Sequence, residues 1–162
     1  MTTAFNTTEI FEMAEQIERN GARFYRKAAQ EVTGLRARGL FEKLAKMEDE
    51  HESLFSEMKR KAGDSSLSFD QDTSNEALLY LQALADDRIF EDDPTTMLEN
   101  QYDIAAVLQK AISLERDSIA FYTGMQQLAL DEPTRRNLVG IIREEMSHVT
   151  YLSNLLSSLT SE

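Results

Sequence analysis

Apolar residues recur every three or four positions in four long segments of this chain. That spacing places them along one face of an α-helix, so each segment is predicted to be an amphipathic helix. The first two segments cover about residues 7–31 and the residues from Thr33-Gly34 to about 62, and the last two flank Asp131-Glu132-Pro133 and reach about residue 160. Short connections join each pair, which predicts two antiparallel helical hairpins, about 7–62 and 99–160, in a four-helix bundle.

Local signals place the ends of these helices. Asn6 and Glu9 have the spacing of a capping box, in which each side chain accepts a hydrogen bond from the other residue's backbone, at the start of the first helix. Gly63-Asp64 is predicted to end the second helix, because glycine commonly follows a helix C-terminus. The two prolines, Pro94 and Pro133, both fall where the apolar period breaks, so they separate helices rather than interrupt them.

The connection between the hairpins, about residues 63–98, is too long for a simple loop and is predicted to cross the bundle. Its middle, SNEALLYLQALADDRIF, is predicted to form a short helix that Thr73 and Glu76 open. The acidic residues Asp86-Asp87 and Glu91-Asp92-Asp93 are expected to form a solvated surface. Residues 1–162 are therefore expected to be one all-α domain.

Composition narrows the function. The chain has a formal net charge of −12 and no cysteine. The negative charge disfavours nucleic acid or an anionic membrane as a partner, because contacts with phosphate need clustered lysines and arginines. Without cysteine, any metal must bind to carboxylates and imidazoles. The chain also has no long apolar run and no signal-peptide pattern at its start, which predicts a soluble, cytoplasmic protein.

A shift of 97 residues superimposes the polar positions of the two hairpins. IERNGARFY, residues 17–25, matches LERDSIAFY, residues 114–122, and the chain's only two histidines each lie three residues after a glutamate, in EDEH and EMSH. The matching pairs are Glu18 and Glu115, Tyr25 and Tyr122, Glu48 and Glu145, and His51 and His148. Agreement in both residue type and register indicates that one half-site occurs twice.

The four glutamates are predicted to lie at one level of the bundle. Glu18 and Glu48 are equidistant from residue 33 in the first turn, and Glu115 and Glu145 from residue 130, so each pair lies about 15 residues, or roughly 22 Å, from its turn. Each histidine shares the face of its helix's glutamate. Because all four glutamates interrupt apolar stripes, their burial as anions would be very costly. Either the carboxyls hold protons and bond one another, or cations neutralise them, and a pair of metal ions is the natural solution.

The chemistry of these side chains narrows the choice of metal. Four carboxylates and two imidazoles suit iron, manganese or zinc and disfavour copper(I). Tyr25 and Tyr122 lie two helical turns, or about 10 Å, after Glu18 and Glu115, too far to contact the metal bound by those glutamates. Each tyrosine is instead predicted to bond a carboxylate of the opposite hairpin. The alternative is that both are core aromatics with a satisfied hydroxyl.

The paired motifs, IERNGARFY with EDEH and LERDSIAFY with EMSH, resemble those of the rubrerythrin branch of the ferritin-like superfamily, over essentially the whole chain. The resemblance implies a ferritin-like bundle with a non-haem di-iron centre, two-electron reduction of hydrogen peroxide or dioxygen, re-reduction by an external donor, and a homodimer. It also implies two ligand sets, bridged by Glu48 and Glu145: Glu18, Glu48 and His51 for one iron, and Glu115, Glu145 and His148 for the other.

Two features differ from that family. Full-length rubrerythrins carry a rubredoxin-type iron held by four cysteines, which this sequence lacks, so another protein or a small reductant must supply the electrons. Ser118 stands where the third helix usually has an additional glutamate. The six-ligand set would serve equally for ferroxidation and iron storage, as in bacterioferritins. A third alternative is a metal-stabilised bundle, for example with zinc, that catalyses no reaction.

Overall fold

The structure is a computed structural model, and it describes residues 5–64, 76–86, 93–99 and 103–160 of the 162-residue chain. These residues form helices and no strand. In chain order the elements are α1 (Thr7–Glu31), α2 (Leu35–Asp64), α3 (Glu76–Leu84), a 3₁₀ helix (Pro94–Glu99), α4 (Ile104–Leu128) and α5 (Glu132–Thr160). The all-α fold class predicted from the apolar spacing is confirmed.

α1 begins where its capping signal predicts. Asn6 Oδ1 accepts a hydrogen bond from the N–H of Glu9 (2.9 Å), and Glu9 Oε2 accepts one from the N–H of Asn6 (2.8 Å), so the capping box is confirmed. α4 is capped by Asp103, whose carboxylate accepts a hydrogen bond from the N–H of Ala105 at 3.2 Å. Both caps satisfy backbone donors that a helix end otherwise leaves unpaired.

Two predicted helix boundaries are wrong by a few residues. α2 continues through Gly63 to Asp64 instead of stopping near residue 62. No described glycine has a positive φ, so Gly63 does not adopt the left-handed conformation of a capping glycine. α4 begins at Ile104 and not near residue 99, because residues Pro94–Glu99 form a separate 3₁₀ helix and Asp103 caps the helix that follows.

Two apolar clusters fill the bundle, one toward each end, and each contains residues from all four long helices. The first joins the N-terminal halves of α1 and α5 to the C-terminal halves of α2 and α4, through residues that include Phe11, Phe55, Phe121 and Leu138. The second joins the opposite halves, through residues that include Phe24, Phe41, Leu108 and Leu152. The two helices of each hairpin are therefore antiparallel, and the polar residues at the helix centres lie between two apolar layers.

The short helix α3 packs against α4 and covers one side of the first cluster. Leu78 and Leu81 of α3 are buried there, with 1% and 0% of their surface exposed. A Cβ atom at Gly124 would lie only 2.6 Å from Leu81 Cδ2, so the absence of a side chain at this position allows α3 to approach α4. The predicted crossover helix is present, and it contributes to the core.

Part of the predicted crossover can be compared with the structure. Asp86 and Asp93 are exposed, as expected. Thr73 and the remaining acids, Asp87, Glu91 and Asp92, lie outside the described residues. None of the helices described is both long and apolar enough to cross a membrane.

Leu81→Ala is expected to lower the free energy of unfolding by about 2–5 kcal/mol, because it leaves a cavity between α3 and α4. Leu79→Ala on the same helix is the matched control: Leu79 is 52% exposed, and its truncation is expected to cost less than about 0.5 kcal/mol. Urea unfolding followed by circular dichroism measures both values. Equal effects of the two substitutions would contradict the docking of α3.

Candidate metal centre

The centre of the bundle holds a cluster of four carboxyl groups and two imidazoles. α1 and α4 each contribute one glutamate near the middle of the helix, and α2 and α5 each contribute a glutamate and a histidine three residues apart. All six side chains are buried, with at most 3% of each residue exposed: Glu18, Glu48, His51, Glu115, Glu145 and His148. The structure therefore brings together every residue that the sequence repeat predicts as a ligand.

In the described part of the chain, these six residues form two overlapping groups of four. Within each group, one potential ligand atom per residue lies within 4.8 Å of the others. Glu48 and Glu145 belong to both groups, and the remaining members are Glu18 and His51 in one and Glu115 and His148 in the other. Two metal ions bound here would share these two carboxylates. The assignment of Glu48 and Glu145 as bridging ligands stays a prediction.

Both imidazoles turn Nδ1 toward the carboxyl groups. His51 Nδ1 lies 2.8 Å from Glu145 Oε1 and 3.4 Å from Glu18 Oε2. His148 Nδ1 lies 3.3 Å from an oxygen of Glu48 and 3.3 Å from an oxygen of Glu145. The two rings stack, with centroids 5.9 Å apart and planes inclined by 21°. Nδ1 is therefore the atom by which each histidine is placed to bind a metal.

Two tyrosines connect the hairpins through this cluster. The Tyr25 hydroxyl on α1 donates a hydrogen bond to Glu115 on α4, and the Tyr122 hydroxyl on α4 donates one to Glu18 on α1. Burial and the neighbouring carboxylates raise the pKa of both phenols well above the usual value, so both hydroxyls keep their protons. Their rings also pack in the apolar clusters. The cross-hairpin bond and the core packing thus occur together, and the support of a metal ligand stays a prediction.

Burial favours protonated carboxyl groups in this cluster. It raises the pKa of Glu48 well above the ordinary value, and the carboxylates of Glu145 and Glu18 raise it further. Burial and Glu145 also raise the pKa of Glu115, to about 8, although His148 lowers it. The pKa of Glu145 is lowered: burial and Glu18 raise it, but contacts with Glu115 and the two histidines outweigh them.

The histidines hold protons as well. Burial lowers the pKa of His51, but contacts with the carboxylates of Glu145 and Glu18 raise it to about 11. Burial likewise lowers the pKa of His148, while Glu115 and Glu145 raise it to about 9. In the metal-free protein, protons on both imidazoles therefore face an ionised Glu145, and protons on other carboxyls reduce the buried negative charge.

Protonation does not provide a hydrogen-bond partner for every polar atom of the cluster. Among the described residues, seven of its buried atoms make no hydrogen bond of good geometry, although some lie close to an oppositely charged group: Glu18 Oε2, Glu48 Oε1, both Glu145 oxygens, His51 Nδ1 and both His148 ring nitrogens. Each unpaired buried polar atom costs roughly 1–3 kcal/mol. Carboxylate oxygen and imidazole nitrogen are the donors that divalent iron, manganese and zinc accept. The residues therefore fit a pair of such metals.

One contact at the centre does not follow from the repeat. His51 Nε2–H donates a hydrogen bond to Glu144 Oε2 at 2.6 Å, and Glu144 lies at the exposed surface of α5. This bond orients the ring so that Nδ1 faces the carboxyl groups. The residue 97 positions before Glu144 is Met47, and His148 Nε2 has no partner among the described residues. Glu144 directly precedes Glu145 in the sequence, but adjacency alone does not indicate a contact between α2 and α5.

The metal-free protein is expected to lose stability as the pH rises from about 5 to about 8. The folded-state pKa of Glu115, about 8, lies above the value of about 4.3 for an unfolded chain. Glu115 therefore stabilises the folded state fully below the unfolded-state pKa, and this stabilisation is lost as the pH rises through the folded-state pKa. Urea unfolding of chelator-treated protein at several pH values measures the slope.

Glu115→Gln keeps a neutral side chain that still accepts the hydrogen bond from Tyr25, so the variant is expected to show a shallower dependence on pH. Glu12→Gln is the control, because Glu12 is an exposed carboxylate of α1 outside the cluster, and its replacement by the same amide is expected to leave the slope unchanged. Identical slopes for Glu115→Gln and wild type would contradict the protonated state of Glu115.

Comparison with known proteins supports the fold. No protein-family model and no curated protein matches this sequence. A crystal structure from Thermotoga maritima, of a protein described as ferritin-like and diiron-carboxylate, matches with a TM-score of 0.72 over 97% of this chain and 98% of that chain. The two sequences are 22% identical, so the likeness shows the fold alone. The predicted ferritin-like four-helix bundle is confirmed.

Proposed function

We propose that this protein is a non-haem di-iron oxidoreductase, similar to rubrerythrins, that reduces hydrogen peroxide or dioxygen with electrons from an external donor. The observation that carries the proposal is the pair of buried ligand groups that share Glu48 and Glu145. The two shared carboxylates would hold a pair of metal ions close together, and such a pair would supply two-electron chemistry. The fold of the Thermotoga protein, which is described as a diiron-carboxylate protein, supports the choice of iron.

Each group offers three carboxylates and one imidazole, which iron, manganese and zinc all accept. When bound, an iron pair supplies the two electrons that, with two protons, reduce hydrogen peroxide to two water molecules. Manganese would be an alternative occupant of the same groups. Zinc has no redox chemistry, and its presence would favour a metal-stabilised bundle.

The surrounding residues orient the proposed ligands. The hydroxyls of Tyr25 and Tyr122 donate hydrogen bonds to Glu115 and Glu18. Both hydroxyls keep their protons, because burial raises the pKa of the two phenols. Each bond leaves the second oxygen of the glutamate available to a metal. Glu144 in the same way keeps the proton of His51 on Nε2, which leaves Nδ1 as the metal donor.

The proposal includes an external electron donor and a homodimer in the cytoplasm. The sequence has no cysteine, so it offers no cysteine-ligated iron through which electrons could enter. A reductant protein or a small reductant would therefore deliver them. Size-exclusion chromatography with light scattering tests the dimer, and a shell of many subunits would favour iron storage instead.

Protein purified anaerobically from iron-supplied cells is expected to contain about two irons per chain, one for each ligand group. Addition of one equivalent of hydrogen peroxide to the reduced protein is expected to produce rapid oxo-bridged ferric absorption and to consume the peroxide. Metal analysis and stopped-flow absorption measure these outcomes. Two bound zincs without an optical response would overturn the oxidoreductase and leave a metal-stabilised bundle.

Glu48→Ala is expected to weaken metal binding by at least roughly 100-fold, more than the loss of a supporting residue outside the ligand set, because it removes a carboxylate of both groups. Glu50→Ala on the same helix is the control, since Glu50 is exposed. Equal metal content in the Glu48→Ala and Glu50→Ala variants would contradict the proposed metal site.

Metal binding is expected to release protons, so affinity should increase with pH between about 6 and 8. The reason is that Glu48, Glu115 and both histidines have raised pKa values in the metal-free protein and must lose protons to become ligands. Calorimetric titration with zinc in two buffers of different ionisation enthalpy counts the protons. A binding enthalpy that does not depend on the buffer would contradict this expectation.

A further inference from the structure

Gly21 leaves the space that a carboxylate of the cluster occupies. It lies on α1, one helical turn after Glu18. A Cβ atom at this position would lie 2.8 Å from Glu48 Oε2, 3.3 Å from Glu48 Cδ and 3.5 Å from Glu48 Cγ. The closest of these distances is shorter than real Cβ atoms show. The Glu48 side chain therefore lies against the backbone of α1, where a side chain at residue 21 would stand.

No other feature of the described structure accounts for this glycine. Its φ is not positive, so the backbone does not require glycine. It lies inside a helix, where glycine is less favourable than alanine. Gly39 and Gly140 are also helical, but a Cβ at either would meet open space, and at Gly124 it would meet α3. At Gly21 the three nearest atoms all belong to Glu48.

The second half-site differs at the matching position. Residue 118, 97 positions after Gly21, is a serine that is 6% exposed, and its hydroxyl donates to the Leu114 carbonyl of its own helix at 3.0 Å. The bundle therefore accommodates a buried side chain one turn after Glu115. One turn after Glu18, the corresponding space is occupied by the end of the Glu48 side chain.

We propose that Gly21 is a positioning residue for the metal centre: it lets the Glu48 carboxylate lie between the two ligand groups. The inference rests on the proposed function, because it concerns how well the six residues bind metal. Glu48 belongs to both groups, so its displacement weakens both metal positions. In the metal-free protein, by contrast, the end of this flexible side chain can rotate away from an added methyl group. A side chain at residue 21 therefore impairs metal binding without impairing the fold.

The test compares Gly21→Ala and Gly21→Ser with wild type, where the serine gives the first half-site the residue of the second. Cobalt(II) titration followed by visible absorption measures affinity, stoichiometry and coordination, and thermal unfolding of the metal-free protein measures the fold. Both variants are expected to bind cobalt at least tenfold more weakly, with altered absorption bands. The metal-free Gly21→Ala variant is expected to unfold at or above the wild-type temperature, because alanine favours the helix.

Two control variants test whether the effect is specific to residue 21. Gly39→Ala changes a helical glycine that faces open space, and Ser118→Ala changes the matching residue of the second half-site. Both are expected to bind cobalt with wild-type affinity and absorption.

Three results would overturn the proposal. If Gly21→Ala bound cobalt with wild-type affinity, the role of Gly21 would be overturned, while the metal centre itself would stand. A lower unfolding temperature of metal-free Gly21→Ala would show that the glycine serves packing instead of ligand position. Absence of cobalt binding by the wild-type protein would overturn the metal centre and, with it, this proposal.

Discussion

Four carboxyl groups are buried at one level of an apolar bundle, and the contacts around them all reduce the cost of that burial. Water does not solvate these groups, so each charge must meet a proton, a hydrogen bond or a cation. In the metal-free chain, protons on Glu48, Glu115 and the two histidines reduce the net charge, and the tyrosine hydroxyls bond two of the carboxyls. Seven atoms still lack a hydrogen bond of good geometry among the described residues, and a metal pair would bond those that face the cluster, such as Nδ1 of each histidine. Metal affinity and the pH dependence of stability thus have one physical origin.

The tyrosine contacts make the two hairpins depend on each other. Each hairpin supplies a phenol to the first glutamate of the other, so neither half-site is complete until the hairpins dock. Apolar clusters on both sides of the site hold all four helices in register. Formation of the site is therefore coupled to tertiary folding.

The two half-sites are similar in their ligands but not in the residues that support them. His51 is oriented by Glu144, while the position that matches Glu144 in the first hairpin is Met47. Gly21 makes room for Glu48, and its counterpart is Ser118. The two matching sets of ligands therefore lie in different environments. We expect the two metal positions to be inequivalent.

Four helices, two antiparallel hairpins and a common level for Glu18, Glu48, Glu115 and Glu145 all follow from the sequence alone, because helical periodicity and distance from a turn are local quantities. The sequence also predicted the contacts of the two tyrosines with opposite carboxylates, from the length of two helical turns. It misplaced the start of α4, since caps and a 3₁₀ helix decide that boundary. The Glu144–His51 bond, the fit of Glu48 against Gly21 and the docking of α3 on Gly124 become visible only in the folded bundle. These contacts depend on the rotation and separation of whole helices, which apolar spacing along the chain does not specify.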